Sequence, residues 1–261
     1  MIDFKNLHKK FGKLVVLNGL DLNIKEGGIF AILGPNGSGK TTLIKCLLGM
    51  VIPNEGTITY KGNSVLRKWD YRNDLNYLPQ IANFPPNLTV VELIEMVKNL
   101  RPKQSNEQDL IKLFGLTDSL QKKLGNLSGG TKQKVNIVLA FMFDSNLIIL
   151  DEPTSGLDPK GRDSLLELFM GIHKELNKTV IIITHDMDTV YKYASRVLVM
   201  SKSKLVFDGS AIDLFTQENI AAWNLDLPEI LEIKKQLEEK LEVKFDSNPR
   251  NIDDLFYLLK E

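Results

Sequence analysis

The sequence predicts an α/β fold centred on a mostly buried sheet, and three observations carry that prediction. An apolar run at 29–33 leads directly into GPNGSGKTT (residues 34–42), and residues 43–49 behind it read as a helix. Residues 147–150 and 179–184 are largely continuous apolar runs, the pattern of strands buried on both faces. Each run ends in residues that carry chemistry: Asp151-Glu152 after the first and His185 after the second. Ligands gather at such carboxyl ends of strands in open α/β sheets.

The glycine-rich stretch has the strand–loop–helix setting that a phosphate-binding loop requires. Gly34, Gly37 and Gly39, with Pro35, Asn36 and Ser38 between them, let the backbone turn tightly and aim N–H groups of the loop at one point; Pro35 itself has none to offer. A helix beginning near Lys40 adds its positive end to the same point. Lys40 then reaches the outer phosphates, the Thr41 hydroxyl is placed to ligate Mg²⁺, and Thr42 continues the cradle. A plain glycine turn before a core helix would leave the lysine unexplained. The stretch therefore predicts binding of a nucleoside triphosphate. Asp151 reads as a Mg²⁺ partner and Glu152 as a group that orients or deprotonates water. His185 is placed to hydrogen-bond a γ-phosphate.

Bulk properties narrow the rest. The 261 residues suffice for one large domain or a main domain with small attachments. Thirty-three basic residues balance thirty-three acidic ones, so no nucleic-acid-binding field is expected. Cys46, the one cysteine, excludes an internal disulfide and reads as a small core residue of a cytosolic protein. The amino terminus has no apolar signal region, and the longest apolar run, 137–143, is far too short to span a membrane. A soluble chain is expected, so any membrane role needs a partner.

Taken in order, residues 2–7 and 20–24 alternate as exposed strands do, with a turn expected at Asn18-Gly19. Phe11 is placed either to stack on a nucleobase or to fill the core, the commoner use of an aromatic. Short strands are expected at 57–60 and 75–78, the latter ending at Pro79-Gln80, where Gln80 can reach a metal-bound water. Helices are expected at 89–100, with Thr89 as N-cap, and at 106–114. LSGGTKQKV (residues 127–135) then puts Ser128 at an N-cap and the bare amides of Gly129 and Gly130 at a helix start, a second anion site in the same chain. One nucleotide does not need two such sites, which points to a site shared between copies. A long helix from Pro159 to about Asn177 and a hairpin at 197–207 follow, while His8 and His173 read as surface residues. Beyond Thr216 the pattern becomes a charged amphipathic helix with Ile230, Ile233, Leu237 and Leu241 in one stripe, then a second helix apolar at 252, 255, 256 and 259.

The Gln80 loop, LSGGTKQKV, IILDEP and His185, in that order behind the phosphate loop, resemble the ATP-binding cassette ATPases over residues 1 to about 216. The resemblance implies a RecA-like P-loop NTPase core with an antiparallel β subdomain and an α-helical signature subdomain, about 81–145, with 217–261 as a helical appendage. It implies that Phe11 stacks on adenine and that Lys40 and the loop amides hold the β- and γ-phosphates. Thr41, Gln80 and Asp151 serve Mg²⁺, Glu152 is the general base, and His185 contacts the γ-phosphate. Ser128, Gly129 and Gly130 act on the nucleotide of a second copy, with Asp158 at the dimer seam. The implied partners are a second ATPase subunit, identical or related, and integral membrane transporter subunits. The implied location is the cytoplasmic face of the membrane. Asn146 stands where a proline is frequent.

The resemblance divides within the family. Residues 77–147 resemble exporter-type ATPases, closest to those accompanying copper maturation of nitrous oxide reductase. From Asp151 through LDLPEILEIKKQLEEK the chain resembles energy-coupling-factor ATPases, as a natural outlier or a chimera would. In that second group such a tail contributes to ATPase dimer contacts, so the tail is expected on a second copy. A soluble cassette of translation or DNA maintenance is the competing function. Translation types carry two cassettes and DNA-repair types a long coiled coil between loop and signature; residues 43–126 are an ordinary interval.

Overall fold

Alternating and continuous apolar patterns sort the strands into two sheets. The computed structural model describes residues 1–259 except 82, 102, 159, 163, 167, 169, 170, 172–177, 218 and 246. β1 (Ile2–Phe11), β2 (Leu14–Ile24), β4 (Glu55–Tyr60) and β5 (Asn63–Ser64) form an antiparallel sheet in the order β2-β1-β4-β5. The second sheet contains β3 (Gly28–Leu33), β6 (Leu75–Leu78), β7 (Leu147–Asp151), β8 (Thr179–Ile183), β9 (Arg196–Ser201) and β10 (Lys204–Gly209). Its order is β10-β9-β3-β8-β7-β6, parallel from β9 to β6, with β10 antiparallel on β9.

The parallel strands are covered on both faces, which is why β7 and β8 are apolar without alternation. Phe30, Ile32, Ile149, Ile181 and Ile183 pack toward α1 (Lys40–Leu47) and the antiparallel sheet. Ile148, Leu150, Val180 and Ile182 pack instead against a helical layer of α2 (Val90–Leu100), α3 (Glu107–Leu113) and α4 (Gly129–Phe141). Thr89 caps α2 through a reciprocal box with Glu92, as its sequence predicts. Cys46 is fully buried on α1. Residues 160–162 and 164–166 are helical, but most of the rest of the helix expected over 159–177, and His173 with it, lies outside the described residues.

One local expectation fails. Asn18-Gly19 is not a turn: β2 runs through it, and the chain reverses at Gly12-Lys13 instead. The register with β1 slips between Leu7↔Leu20 and Lys9↔Leu17, so Gly19, at φ +63°, absorbs an irregularity inside the strand. A short-range turn signal and a bulge use the same residue types.

Asp74 fastens the antiparallel sheet to the parallel one. Its carboxylate accepts from Tyr60 Oη (2.8 Å) and Lys61 Nζ (2.8 Å) on one side and from Asn146 Nδ2 (2.7 Å) on the other. Asn146, where the resembled family often has proline, thus supplies a donor that proline lacks. Burial raises the Asp74 carboxyl, but these hydrogen bonds outweigh it and hold it at about 2.

Packing continues past residue 216. α5 (Met187–Tyr193), α6 (Ala211–Phe215) and α7 (Glu229–Leu241) share a core in which Ile220, Leu225 and Leu231 are buried against Met187, Val190 and Tyr191. α7 is seated by Leu231, outside the stripe read from the sequence, and by Ile230 of that stripe, which is partly buried against the same core, while Leu241 is exposed. On α8 (Ile252–Leu258) only Leu255 is buried, and Ile252, Phe256 and Leu259 face solvent.

Two predictions follow from this packing. Because the folded carboxyl of Asp74 lies below its ordinary value, its stabilisation is present above about pH 4 and is lost as pH falls toward about 2. Asp74→Asn should therefore cost about 2 kcal/mol at pH 7 and little near pH 2, read by urea unfolding at both pH values. Truncation after Thr216 removes core residues and should lower the melting temperature markedly. Truncation after Glu242 removes a mostly exposed segment, with Pro249 and Leu255 its buried residues, and should lower it much less; differential scanning calorimetry of both chains decides.

Candidate active site

Four parallel strands deliver the site. β3 ends at Leu33 and turns through Gly34 into α1, while Pro79-Gln80 follows β6. Asp151 closes β7, and His185 lies two residues beyond β8. Their carboxyl ends converge on a cleft of about 320 Å³ lined by Phe11, Asn36, Gly37, Gly39, Lys40, Thr41, Thr42, Gln80, Asp151, Glu152 and His185.

Two glycines of the loop are sterically required. Gly34 has φ +131°, and a Cβ there would stand 1.9 Å from the Met200 carbonyl oxygen. Gly39, the residue before α1, has φ +107°, and its Cβ would meet the Val16 carbonyl oxygen at 2.5 Å. Ser38 is buried, and its Oγ has no partner. Lys40 is only 6% exposed; its ammonium donates to the carbonyls of Gly34 (2.6 Å) and Pro35 (3.1 Å). Burial pulls its pKa down, against the attraction of Glu152 and Asp151.

The carboxylates differ in setting. Asp151 is buried at the end of β7, and the Tyr77 hydroxyl points to its Oδ2 at 3.5 Å. Burial raises its pKa, and Tyr77 and Lys40 oppose that rise. Glu152 has φ +49°, a left-handed conformation that costs a non-glycine residue about 1–3 kcal/mol and is concentrated at functional sites. Its backbone N–H donates to the Ile183 carbonyl (2.8 Å). The Glu152 Oε1 lies 3.0 Å from His185 Nε2, yet it is buried and accepts no aligned hydrogen bond. Burial, reinforced by the Asp151 charge, pushes the Glu152 carboxyl up to about 7. Burial and Lys40 push the His185 imidazole down.

Phe11 is half exposed at the cleft, with Lys9 Nζ 4.8 Å from its ring centroid, so it is not a core aromatic. Gly34 and Pro35 open onto an adjoining hollow of about 390 Å³ whose far wall is Asn224, Leu225 and Asp226. Those three, with Tyr77, are site neighbours that the sequence reading missed. In the sequence Tyr77 carries only the signal of a strand residue, and residues 224–226 precede a charged helix and carry no local signal. Ser128 caps α4 by accepting from the Thr131 N–H (3.2 Å), but Ser128, Gly129 and Gly130 do not line the cleft. Asp158 pairs with Lys134 of α4 at 3.3 Å and accepts from the Gly161 N–H.

Residues 17–155 match the family described as ABC transporter. The chain belongs to that family. It is 33% identical over 255 residues to an energy-coupling factor transporter ATP-binding protein, EcfA2, of Bacillus subtilis strain 168, covering 92% of each chain. A Nod factor export ATP-binding protein I of Burkholderia orbicola strain AU 1054 is 33% identical over 223 residues, 83% of this chain and 73% of the relative. Among solved structures, a dimeric post-hydrolysis state of the ATP-binding cassette MJ0796, bound to ADP and Pi, superposes with a TM-score of 0.72 at 28% identity. That match covers 81% of this chain and 99% of the other. The EcfA2 alignment spans both stretches in which the subfamily resemblance divides. This ABC ATPase is thus the ATP-binding and ATP-hydrolysing subunit of a transporter, on an α/β cassette fold.

The setting of Glu152 gives a prediction with two readouts. A carboxyl raised to about 7 destabilises the fold increasingly as pH rises from about 4.5 through 7. Glu152→Gln should therefore melt higher than wild type at pH 8, by at most about 3 kcal/mol, and equally at pH 4.5. On the expectation that Glu152 takes the proton of the attacking water, the same substitution should slow hydrolysis at least roughly a hundredfold at every pH, because an amide takes no proton. Calorimetric melting and phosphate release check the two independently.

Proposed function

We propose that the cleft holds Mg-ATP and that two copies of the chain, or this chain and a related one, complete each site. In this reading Phe11 stacks on the adenine, and the amides of 34–42 with Lys40 hold the β- and γ-phosphates. His185 meets the γ-phosphate, and Ser128, Gly129 and Gly130 of the second copy close over it with Asp158 at the seam. The supporting observation is the division of anion-binding parts. The Lys40 cradle and the Ser128 helix start are both formed, yet only the first lines the cleft.

The donor set fits Mg²⁺. Thr41 and Gln80 offer neutral oxygens and Asp151 one buried carboxylate at the same cleft, the sparse protein ligation usual for an ion bound mainly through phosphates. When bound, the ion would neutralise charge developing on the phosphates. This chain's residues do the rest. Glu152, its Oε1 unpartnered, orients a water and takes its proton, and Lys40 and the loop amides hold the departing charge.

The reading extends to the assembly. Residues 1–216 act as the cassette, with a helical part over 81–145, and 217–261 as an appendage. Among the described residues no helix is long and apolar enough to cross a membrane. As in the transporter subunits it resembles, the chain works through integral membrane subunits, at the cytoplasmic face where ATP is available. Direction and cargo belong to those subunits; the printed names of relatives include both an energy-coupling factor transporter and an export system.

Lys40→Ala should weaken ATP binding at least roughly a hundredfold, since the ammonium compensates phosphate charge in a poorly solvated site. Wild-type affinity by calorimetry would remove the central claim. Mixing Lys40→Ala chains with Ser128→Arg chains should restore part of the hydrolysis, because one mixed site has both halves intact. No rescue in confirmed heterodimers would refute the shared site.

A further inference from the structure

α4 starts at the signature residues and runs on beneath the loops that carry Gln80 and Glu152. Two of its buried side chains are amides one turn apart: Gln133, 6% exposed, and Asn136, 4% exposed. Asn136 Nδ2 donates to the carbonyl of Pro79 at 3.0 Å, and Gln133 Nε2 donates to the carbonyl of Pro153 at 3.2 Å. The amides also meet each other, Asn136 Nδ2 to Gln133 Oε1 at 3.5 Å. Pro79 immediately precedes Gln80, and Pro153 immediately follows Glu152. Neither amide lines the cleft.

The arrangement has two physical consequences. A buried amide that fits its carbonyl partner leaves no polar atom stranded, whereas an acceptor in its place would strand two. The Pro79 carbonyl shares a planar peptide with the Gln80 nitrogen, and between the Pro153 carbonyl and Glu152 the fixed proline φ removes one free rotation. Fixing each carbonyl constrains the neighbouring site residue. The helix itself is a rigid rod: at about 1.5 Å per residue, Asn136 lies only about 12 Å from Ser128. A displacement at the signature end reaches both loops together.

We propose that Gln133 and Asn136 are positioning residues: they tie Gln80 and Glu152 to α4, so that the signature end of the helix sets the geometry of its own chain's catalytic loops. The further step, that a nucleotide in the second copy acts through this link, rests on the shared-site reading above. The link within one chain does not.

The test uses Asn136→Asp in the full-length chain, a near-isosteric change that sets an acceptor against the Pro79 carbonyl. The expected result is a kcat lowered roughly ten- to hundredfold with ATP affinity by calorimetry within about twofold, the mark of misplaced rather than missing contacts. Asn136→Leu, which cannot donate and adds no stranded charge, should give the same split and serves if the aspartate chain does not fold. Gln80→Ala combined with either change should be no slower than Gln80→Ala alone, since Asn136 acts through that loop. A kcat within about twofold of wild type in a folded variant would overturn the proposal, as would losses that multiply in the double mutant. These outcomes stand apart from the mixing experiment. Failed mixing with the kcat split intact removes the second copy's role and leaves the link.

Discussion

A buried ammonium, held by carbonyls rather than by a carboxylate, sets the terms for everything around it. Lys40 is wrapped by the Gly34 and Pro35 oxygens, and desolvation already works against its charge. Carbonyl dipoles compensate a buried cation only partly. The residual positive field is what an incoming polyphosphate would neutralise. The glycines that allow this wrap are fixed by the backbone that approaches them, Met200 at Gly34 and Val16 at Gly39. The loop is therefore held by β9 on one side and by β2 of the antiparallel sheet on the other. That sheet is in turn tied down by Asp74. The antiparallel layer is thus part of the phosphate cradle's support as well as the carrier of Phe11.

The same field divides the labour of the carboxylates. Asp151 and Glu152 are adjacent and both buried, and such neighbours cannot both ionise freely. Asp151 has Tyr77 and Lys40 to favour its charge. Glu152 has an unpartnered oxygen and a strained backbone, and its carboxyl is pushed up to about 7. Burial raises both carboxyls, but Tyr77 and Lys40 oppose the rise at Asp151 while the Asp151 charge adds to it at Glu152, and sequence adjacency alone gives no hint of that difference.

What the sequence disclosed and what it hid separate along physical lines. The phosphate loop, the buried strands and their polar ends were legible because each requirement is local: glycine for positive φ, apolar runs for two-sided burial, a hydroxyl at an N-cap. The Asn18-Gly19 bulge was misread because a local signal was overridden by pairing with β1. Leu231 joins Ile230 of the predicted stripe in seating α7 while Leu241 stays exposed, since amphipathic period does not say which part of a face finds a partner. Tyr77, residues 224–226 and the amides of α4 were invisible as site neighbours. Their roles exist only through contacts between segments far apart in the chain.

α4 shows why such contacts matter for a protein that works as half of a pair. Its first turn offers bare amides away from the cleft, and its second and third turns grip the two loops that frame the cleft. Had those loops been held by the sheet alone, hydrolysis would depend only on the copy that binds the nucleotide. With the grip on α4, anything that engages its first turn bears on Gln80 and Glu152 through a few stiff steps. In the proposed reading, ATP binding needs only the copy that carries the cleft, whereas the geometry for cleaving it is tied to the α4 start that a second copy would cover.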